Sequence, residues 1–394
     1  MVLGIFILLS LSIKLFLIFE YKNRLTLSSD DINYIKSAIV LLKKGIFTFQ
    51  NVNEPTVFVM PLYPFFLAFI FKIFGFGFIG LQAVRIIQAV FSCVTILLVY
   101  FTAKKLFDYR TAILSAFFTA FYIPNITTAG YMLTETLFTM LLIFLIFLSL
   151  QFTNEPSIPK FTVLGGLWAL VTLCRPTVAL YPVLLAAYGY FYRRMRVYRM
   201  LKLFLAMLMS FTIVMLPWWI RNFKEYGEFI PLAISSGNPM LQGTYIDYVQ
   251  NADNIVYYKL GKNAIETNNN EVGAAKLRIK KGFQEDFWDY LEWYTVKKTV
   301  LYWCGAFYWQ EVFGISKYVA LAFHYVLLLG IPGILILTFR NFTRYILPVS
   351  VMVYFNAVHC VYMAFDRYAF PMMTLMSMFS AFFIIRVLSI FRDL

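Results

Sequence analysis

Apolar runs of membrane-spanning length recur along the whole chain, separated by short polar connections. The runs are continuous rather than alternating, which is the pattern of helical spans and not of barrel strands. With about 20 residues for each crossing, the pattern predicts an all-α polytopic membrane protein of about ten spans. The predicted spans are 2–19, 83–106, 110–127, 132–151, 161–174, 176–192, 200–219, 316–338, 344–364 and 369–390.

Residues 57–80 form a further apolar run that is long enough to cross a membrane. A crossing here would place the basic connection KKLFDYR on the same side as the acidic first loop, and it would invert the later basic loops. We therefore predict an interfacial or re-entrant segment on the outer face, interrupted at Pro61 and Pro64.

Charge divides the connections into two sets. The basic connections are KKLFDYR, YRRMRVYR, FRNFTR and the C-terminal FRDL. The acids on the opposite side are Asp30, Asp31, Glu54, Glu135, Asp366 and those of loop 220–315. The positive-inside rule therefore places the basic connections in the cytoplasm and the acids outside. The first span follows no positive region and precedes no small-residue cleavage site, so we expect an uncleaved signal anchor.

The composition agrees with this membrane topology. The sequence is 61% hydrophobic and 14% charged, with a mean hydropathy of +0.72, whereas a soluble domain needs a more polar surface. The net charge of +14 would suit a nucleic-acid partner. However, the basic residues occupy short loops between spans, so we predict no nucleic-acid binding.

The stretch SSDDINY carries two adjacent carboxylates, Asp30 and Asp31. Ser28 or Ser29 is predicted to cap a helix whose first turn holds both acids, where they favour the positive end of the helix dipole. Gly45 is the predicted end of this helix. Apolar residues recur at helical spacing at Ile32, Ile35, Ile39 and Leu42. The pattern therefore predicts an amphipathic helix that lies on the membrane surface.

Loop 220–315 is the single sizeable polar region, and its sequence favours a helix from about Glu271. No P-loop motif occurs, so nothing in the sequence indicates nucleotide hydrolysis. We predict one membrane domain, 1–394, that includes a first outer loop, 20–82, and this large outer loop.

Short motifs follow one another in order along the predicted outer side. Asp30 is followed four residues later by Tyr34, with Asp31 beside it, a Pro-rich PLYP segment contains Tyr63, and Arg85 opens the next long span. The later motifs are LTETLF with Glu135, RP with Arg175, PWWIRN with Arg221 and Asn222, and RYAFP with Arg367 and Tyr368.

This ordered set resembles the GT-C superfamily of lipid-sugar-dependent membrane glycosyltransferases, notably protein O-mannosyltransferases and the aminoarabinose transferases that modify lipid A. The chain departs from the family pattern at two points. Met60 stands where a lysine often precedes the Pro-rich segment. In addition, no large soluble C-terminal domain follows the last span, so acceptor recognition by such a domain is not expected.

The resemblance implies an inverting transferase at the outer face of the cytoplasmic membrane. It would move a sugar from a polyprenyl phosphate or diphosphate to a hydroxyl or amine of a glycan, lipid or protein acceptor. Asp30 would act as the base, and arginines would stabilise the leaving lipid phosphate. The other implied residues are catalytic Asp31 and Glu135 and substrate-binding Tyr34, Tyr63, Arg85, Arg175, Arg221, Asn222, Arg367 and Tyr368.

Plainer interpretations stay open at several of these positions. Asp30 and Asp31 also suit a helix end without any chemistry. Arg221 and Arg367 also suit anchors at the lipid headgroups, and Tyr34 also suits simple packing.

Metal use and the class of function are likewise open. Asp31, Glu54 and Glu135 could join Asp30 to hold a divalent cation through oxygens, and the resembled family has metal-dependent and metal-independent members. A transporter or flippase of lipid-linked sugars is the main alternative to the transferase, although the sequence lacks the internal repeats expected of one. A non-catalytic membrane scaffold is the third interpretation.

Overall fold

The computed structural model describes residues 1–252 and 254–392. This part of the chain contains no β-strand and eighteen α-helices. In chain order the helices are α1 Val2–Tyr21, α2 Asp30–Lys44, α3 Leu62–Phe74, α4 Phe78–Leu106, α5 Tyr109–Phe121, α6 Ile123–Thr128, α7 Thr134–Phe152, α8 Ile158–Cys174, α9 Tyr181–Phe191, α10 Val197–Tyr226, α11 Gly237–Gln242, α12 Ala264–Glu285, α13 Phe287–Glu292, α14 Lys298–Trp303, α15 Lys317–Leu328, α16 Gly330–Asn341, α17 Ile346–Val361 and α18 Asp366–Arg392.

Seven helical segments of the described residues are long and apolar enough to cross a membrane. They are Val2–Arg24, Phe78–Leu106, Thr134–Phe152, Val197–Tyr226, Lys317–Phe339, Phe342–Val361 and Asp366–Phe391. The predicted class, an all-α polytopic membrane protein, is therefore confirmed.

The three other predicted spans fall on shorter helices. Segment 110–127 is divided into α5 and α6, because Tyr122 adopts an extended conformation between them. Segments 161–174 and 176–192 correspond to α8 and to α9 with the short turn before it. The sequence stays apolar around Tyr122, so hydropathy alone did not reveal that break, whereas the break at Arg175 separates the two predicted spans.

The apolar run 57–80 contains the 13-residue helix α3 and the first residues of α4. At 1.5 Å per residue α3 is about 20 Å long, shorter than a hydrocarbon core of about 30 Å. The helix begins directly after Pro61, so the predicted interruption at Pro61 is observed. Pro64 does not interrupt the helix, because it lies in the first turn, where its missing N–H leaves no hydrogen bond unmade.

Glycines set the closest approaches between helices. A Cβ atom on Gly165 of α8 would lie 2.0 Å from the Met207 carbonyl oxygen of α10, and one on Gly333 of α16 would lie 2.5 Å from the Phe379 carbonyl oxygen of α18. Small residues allow this backbone contact between helices where no hydrophobic force drives their association.

Helix α2 begins and ends where the sequence predicts, but it is capped differently. Ser29 precedes the helix, yet neither of the predicted serine side chains caps it. Instead, the Asp31 carboxylate accepts the N–H of Ser29 at 2.9 Å and that of Leu27 at 2.8 Å. Gly45 ends the helix with a φ of +69°, a left-handed conformation that glycine adopts without strain.

The buried face of α2 differs from the predicted apolar face. The buried residues are Asp31, Tyr34, Ser37 and Ala38, whereas Ile32 and Leu42 of the predicted face are exposed. Helix α2 packs on α3, and Tyr34 of the buried set contacts Tyr63 of α3. The apolar positions therefore lie partly on the outer surface, where they suit contact with lipid.

The large outer loop is shorter than predicted at its start and more helical. Helix α10 continues to Tyr226, beyond the predicted boundary at 220. The predicted helix from Glu271 begins earlier, at Ala264, because the side chain of Asn263 accepts the N–H of Glu266 at 2.8 Å.

Lys298 fastens this loop to the membrane bundle. Its side chain is fully buried, and Nζ donates to the carbonyl oxygens of Cys360 at 2.8 Å and Tyr362 at 2.9 Å, where α17 ends. The Tyr294 ring lies 4.1 Å from Nζ. Because burial opposes the charged form, the pKa of Lys298 is lowered from 10.5 to about 7.

We expect the stability of the protein to rise with pH between about 7 and 10.5. In this window the unfolded chain binds the Lys298 proton and the folded chain does not, so raising the pH favours the folded state. Thermal unfolding in detergent from pH 6 to 9 measures this effect. The variant Lys298→Met should lack this part of the rise, and an identical pH profile in both proteins would contradict the assignment.

The two ends of the bundle differ in charge. Lys104 and Lys105 lie in the last turn of α4, whereas Glu135 and Asp366 lie in the first turns of α7 and α18 at the other end. Residues 393 and 394 of the predicted basic C-terminal FRDL lie outside the described residues.

Candidate functional site

Four helix ends meet at the acidic end of the bundle. Asp30 is the first residue of α2, Glu135 is the second of α7, Arg175 directly follows α8, and Arg367 is the second residue of α18. We call these four side chains the acid–arginine cluster. Their helices are distant in sequence but are held together by the packing of α7 against α8 and α18.

Glu135 is the buried centre of the cluster, and none of its side chain is exposed. Its Oε1 atom accepts from Arg175 Nη2 at 2.6 Å and also from Arg367 Nε. Arg175 Nε donates to the Thr134 hydroxyl at 2.8 Å, and this hydroxyl lies 3.4 Å from the second Glu135 oxygen. One buried carboxylate therefore fixes the orientation of two guanidinium groups.

Asp30 is the outer acid of the cluster, with 42% of its side chain exposed. Its Oδ2 atom accepts from Arg367 Nη1 at 2.8 Å. The other oxygen, Oδ1, makes no hydrogen bond within the described part of the chain. Asp30 therefore presents a carboxylate that is oriented through one oxygen and accessible through the other.

The helix dipoles favour three of the four charges. Asp30 and Glu135 lie at helix N-termini, where the dipole stabilises an anion, and Arg175 lies at a C-terminus, where it stabilises a cation. Arg367 is at an N-terminus, which is unfavourable for a cation. The two carboxylates that Arg367 contacts offset this cost.

Two predicted tyrosines flank the cluster. The Tyr34 ring packs edge-on against Phe49 at 4.9 Å and Tyr63 at 5.1 Å. Burial raises the pKa of the Tyr34 hydroxyl above its ordinary value, with a smaller contribution from Asp30. Tyr34 is therefore a neutral group beside the acids.

Tyr368 belongs to an aromatic stack that the sequence analysis missed. Its ring lies 4.7 Å from the His359 ring at an angle of 6°, and the Tyr302 ring also stacks on His359 at 5.5 Å. Thr134, next to Glu135, was also missed. A histidine inside an apolar span and a hydroxyl beside a buried acid were the available signals.

Arg85 and Tyr63 form a separate buried network. Arg85 is 3% exposed and donates to the carbonyl oxygens of Gly130 at 3.0 Å and Leu25 at 3.4 Å. The Tyr63 hydroxyl donates to Gln88 at 2.8 Å. These contacts connect the first outer loop to α4, and they do not bring either residue into the acid–arginine cluster.

Arg221 and Asn222 brace a different part of the outer surface. Arg221 Nη1 donates to the Thr56 carbonyl oxygen at 2.7 Å, and Nη2 donates to that of Phe47 at 3.4 Å. The buried Asn222 amide donates to the Ile230 carbonyl oxygen at 3.0 Å. Arg221 also borders an apolar groove of about 180 Å³ that is lined in part by Phe65.

Asp31 points away from Asp30 and into its own loop. It is 2% exposed, and besides the two backbone N–H groups it accepts the Thr26 hydroxyl. No group of three or more histidine, cysteine or acidic side chains in residues 1–252 and 254–392 is placed to hold a metal ion. The carboxylates proposed as metal ligands therefore do not converge, because Asp31 and Glu135 are each occupied by other partners.

Asp31→Asn is expected to destabilise the protein by about 1–3 kcal/mol, because an amide nitrogen would replace an oxygen that accepts a buried N–H. Thermal unfolding and limited proteolysis of residues 25–29 measure the loss. Asp30→Asn is the control, since the neighbouring carboxylate is half-exposed and should leave stability almost unchanged. Equal stability of the two variants would contradict a structural role for Asp31.

The fold defines the class of this protein as an all-helical, polytopic membrane protein. The chain is similar to the apo oligosaccharyltransferase of Archaeoglobus fulgidus, with a TM-score of 0.58 at 12% identity over 98% of this chain and 51% of that one. The same enzyme in complex with zinc and sulfate gives 0.55 at 13% identity, over 100% and 50%. This chain therefore spans about half the length of that enzyme.

Within this class, residues 54–220 match the family model described as dolichyl-phosphate-mannose-protein mannosyltransferase. The ArnT protein of Cupriavidus metallidurans bound to undecaprenyl phosphate aligns with a TM-score of 0.48 at 12% identity, over 96% of this chain and 77% of that one. No curated protein matches the sequence. The match of residues 54–220 to this family confirms the resemblance to protein O-mannosyltransferases that the ordered motifs predict.

Proposed function

We propose that this protein transfers a sugar, with inversion, from a polyprenyl-phosphate-linked donor to an acceptor on the outer face of the cytoplasmic membrane. The observation that carries the proposal is the environment of Asp30. Its half-exposed carboxylate is bonded through one oxygen to Arg367, and Arg367 is itself held by the buried Glu135. The family match of residues 54–220 supports the transferase class.

Asp30 is the general base in this proposal. A hydroxyl or amine is a poor nucleophile until a base within hydrogen-bond reach removes its proton. Asp30 Oδ1 takes that proton while Oδ2 stays bonded to Arg367 Nη1. The acceptor oxygen or nitrogen then bonds to the anomeric carbon as the bond from this carbon to the phosphate oxygen breaks, and attack from the opposite side inverts the configuration.

The two cluster arginines stabilise the leaving phosphate. Arg367 Nη2 and Arg175 Nη1 make no hydrogen bonds to the described part of the chain, whereas their other nitrogens are held by Glu135, Asp30 and Thr134. Oriented N–H donors aimed at a developing negative charge lower the barrier, because they need no reorganisation during the reaction. Glu135 is thus a positioning residue for both arginines.

The groove beside Arg221 supports a lipid-linked donor. It is lined mainly by apolar side chains that include Phe65 and Trp218, and Arg221 lies at its edge. An isoprenoid chain would bury apolar surface along such a groove. Asn222 keeps this part of α10 attached to the loop at Ile230.

The distribution of charge supports the orientation. The acid–arginine cluster lies at the opposite end of α4 and α18 from Lys105 and Arg386, and basic residues stay on the cytoplasmic side of a membrane. The described carboxylates do not converge on a metal site, and the arginines supply the charge stabilisation.

Mass spectrometry of lipid-linked sugars and surface glycoconjugates tests the proposal. Cells without the gene would receive the wild type, Asp30→Asn, or Glu228→Gln as an exposed-carboxylate control. We expect Asp30→Asn, at a normal protein level, to remove one sugar from a glycan, lipid or protein and to accumulate the matching polyprenyl-phosphate sugar. A wild-type result for Asp30→Asn, with donor accumulating only in the deletion strain, would favour the transporter or flippase instead.

A further inference from the structure

A second polar site lies at the end of the bundle opposite to the acid–arginine cluster. It is formed where α4 ends, beside α7, α9 and the turn before α17. Along α4, Arg85 at the outer end and Lys105 at this end are separated by about 30 Å at 1.5 Å per residue. The proposed transfer reaction therefore makes no use of this site.

The site is a cavity of about 150 Å³. Lys105 and Arg344 supply its charges, and Asn154, Tyr188 and Tyr192 supply further polar atoms. No acidic side chain lines this cavity. Neither Lys105 nor Arg344 forms an ion pair anywhere in residues 1–252 and 254–392.

The cationic side chains are fixed by the protein rather than free on its surface. Arg344 Nη2 donates to the Lys105 carbonyl oxygen at 2.8 Å, and Lys105 Nζ donates to the Gln151 side chain. Arg193 Nε donates to the Thr153 carbonyl oxygen at 2.9 Å, and its charge lies within electrostatic reach of Lys105. Three positive charges are thus held close together, and a bound anion would relieve the electrostatic repulsion between them.

We propose that this cavity binds a phosphate group. A guanidinium and an ammonium with unused donors, beside two tyrosines and an asparagine, supply the charge-assisted hydrogen bonds that phosphate oxygens accept. The cavity opens at the basic end of the bundle, where the headgroups of the cytoplasmic leaflet would lie. Its phosphate therefore comes either from an anionic phospholipid or from a soluble phosphate compound.

The simpler explanation is that these residues only set the membrane topology. Topology depends on the number of positive charges near a span and not on their geometry. Lys104 provides the comparison, because it is adjacent to Lys105 but exposed, with its ammonium 5.8 Å from the Tyr100 ring. If the cavity is a binding site, replacing Lys105 should have an effect that replacing Lys104 does not have. If the residues only set the topology, the two replacements should have the same effect.

Native mass spectrometry of the purified full chain tests this distinction. The protein would be titrated with phosphatidylglycerol, with phosphatidylcholine as the zwitterionic control. We expect the wild type and Lys104→Gln to retain phosphatidylglycerol selectively, and Lys105→Gln to bind it about tenfold more weakly, since one charge-assisted hydrogen bond is lost. Arg344→Lys is a second variant, which keeps the charge but loses the planar guanidinium group, and it should also weaken binding.

The source of the phosphate is determined by competition with inorganic phosphate. Displacement of phosphatidylglycerol by millimolar phosphate from wild type but not from Lys105→Gln would assign the cavity to a soluble phosphate compound. Lipid retention that resists phosphate would assign it to the phospholipid. Equal weakening by Lys104→Gln and Lys105→Gln, or equal retention of the two lipids by the wild type, would overturn the proposal.

Discussion

Asp30→Asn is expected to lower the rate of sugar transfer by about 10²–10⁴-fold, because it removes the base that accepts the proton from the acceptor. Asparagine has almost the same shape, and its side-chain oxygen can still accept from Arg367 Nη1. The variant should therefore fold normally and fail at the chemical step.

The measurement is steady-state transfer by the purified protein from a polyprenyl-phosphate sugar, with kcat and KM determined separately. A base that acts only in the transition state affects kcat and leaves the KM for the donor nearly unchanged. Glu228→Gln is the matched control, because it removes an exposed carboxylate outside the cluster. Activity of Asp30→Asn within tenfold of the wild type would rule out Asp30 as the base.

Helix α2 illustrates how far local sequence can predict this structure. Its start after Ser29 and its end at Gly45 follow from turn and capping preferences, and both are observed. Its predicted apolar face is partly exposed at Ile32 and Leu42, because amphipathic spacing shows only that one side is apolar. Whether lipid or protein covers that side depends on the helices that pack against it, and here protein covers Tyr34 and Ala38.

The composition of the cluster was predictable in part. Asp30, Glu135, Arg175 and Arg367 all stand at the ends of apolar segments, where charge is unexpected and therefore informative. Their pairing was not predictable, since Arg367 and Glu135 are 232 residues apart and no local pattern selects one arginine over another. Arg85 and Arg221 satisfied the same pattern, yet their guanidinium groups mainly hold backbone carbonyl oxygens of the outer loops.

The contrast between Asp30 and Asp31 also depends on tertiary structure. Successive residues of a helix point in directions about 100° apart, so adjacent acids cannot serve one site equally. Only the path of residues 25–29, which turns back over α2, determines that Asp31 meets backbone N–H groups. Asp30, which is half-exposed, is then free to pair with Arg367 in the acid–arginine cluster.

Glu135→Gln is expected to be the most destabilising single change at the site. It would leave Arg175 and Arg367 facing a neutral amide in a region where the carboxylate is fully buried. Removing one partner of a buried ion pair costs about 3–5 kcal/mol, because the remaining charge stays desolvated without compensation. Transfer activity should fall as well, since Arg367 would no longer be held in place beside Asp30.

The thermal unfolding midpoint in detergent measures this effect, and a decrease of several degrees is expected. Glu155→Gln is the control: Glu155 forms an exposed pair with Lys160 at 3.5 Å, and such pairs contribute at most about 1 kcal/mol. The double variant Glu135→Gln with Arg175→Gln should lose less stability than the sum of the two single variants, because it removes one uncompensated charge. Additive losses, or a Glu135→Gln midpoint equal to that of Glu155→Gln, would show that the buried carboxylate does not hold the two arginines together.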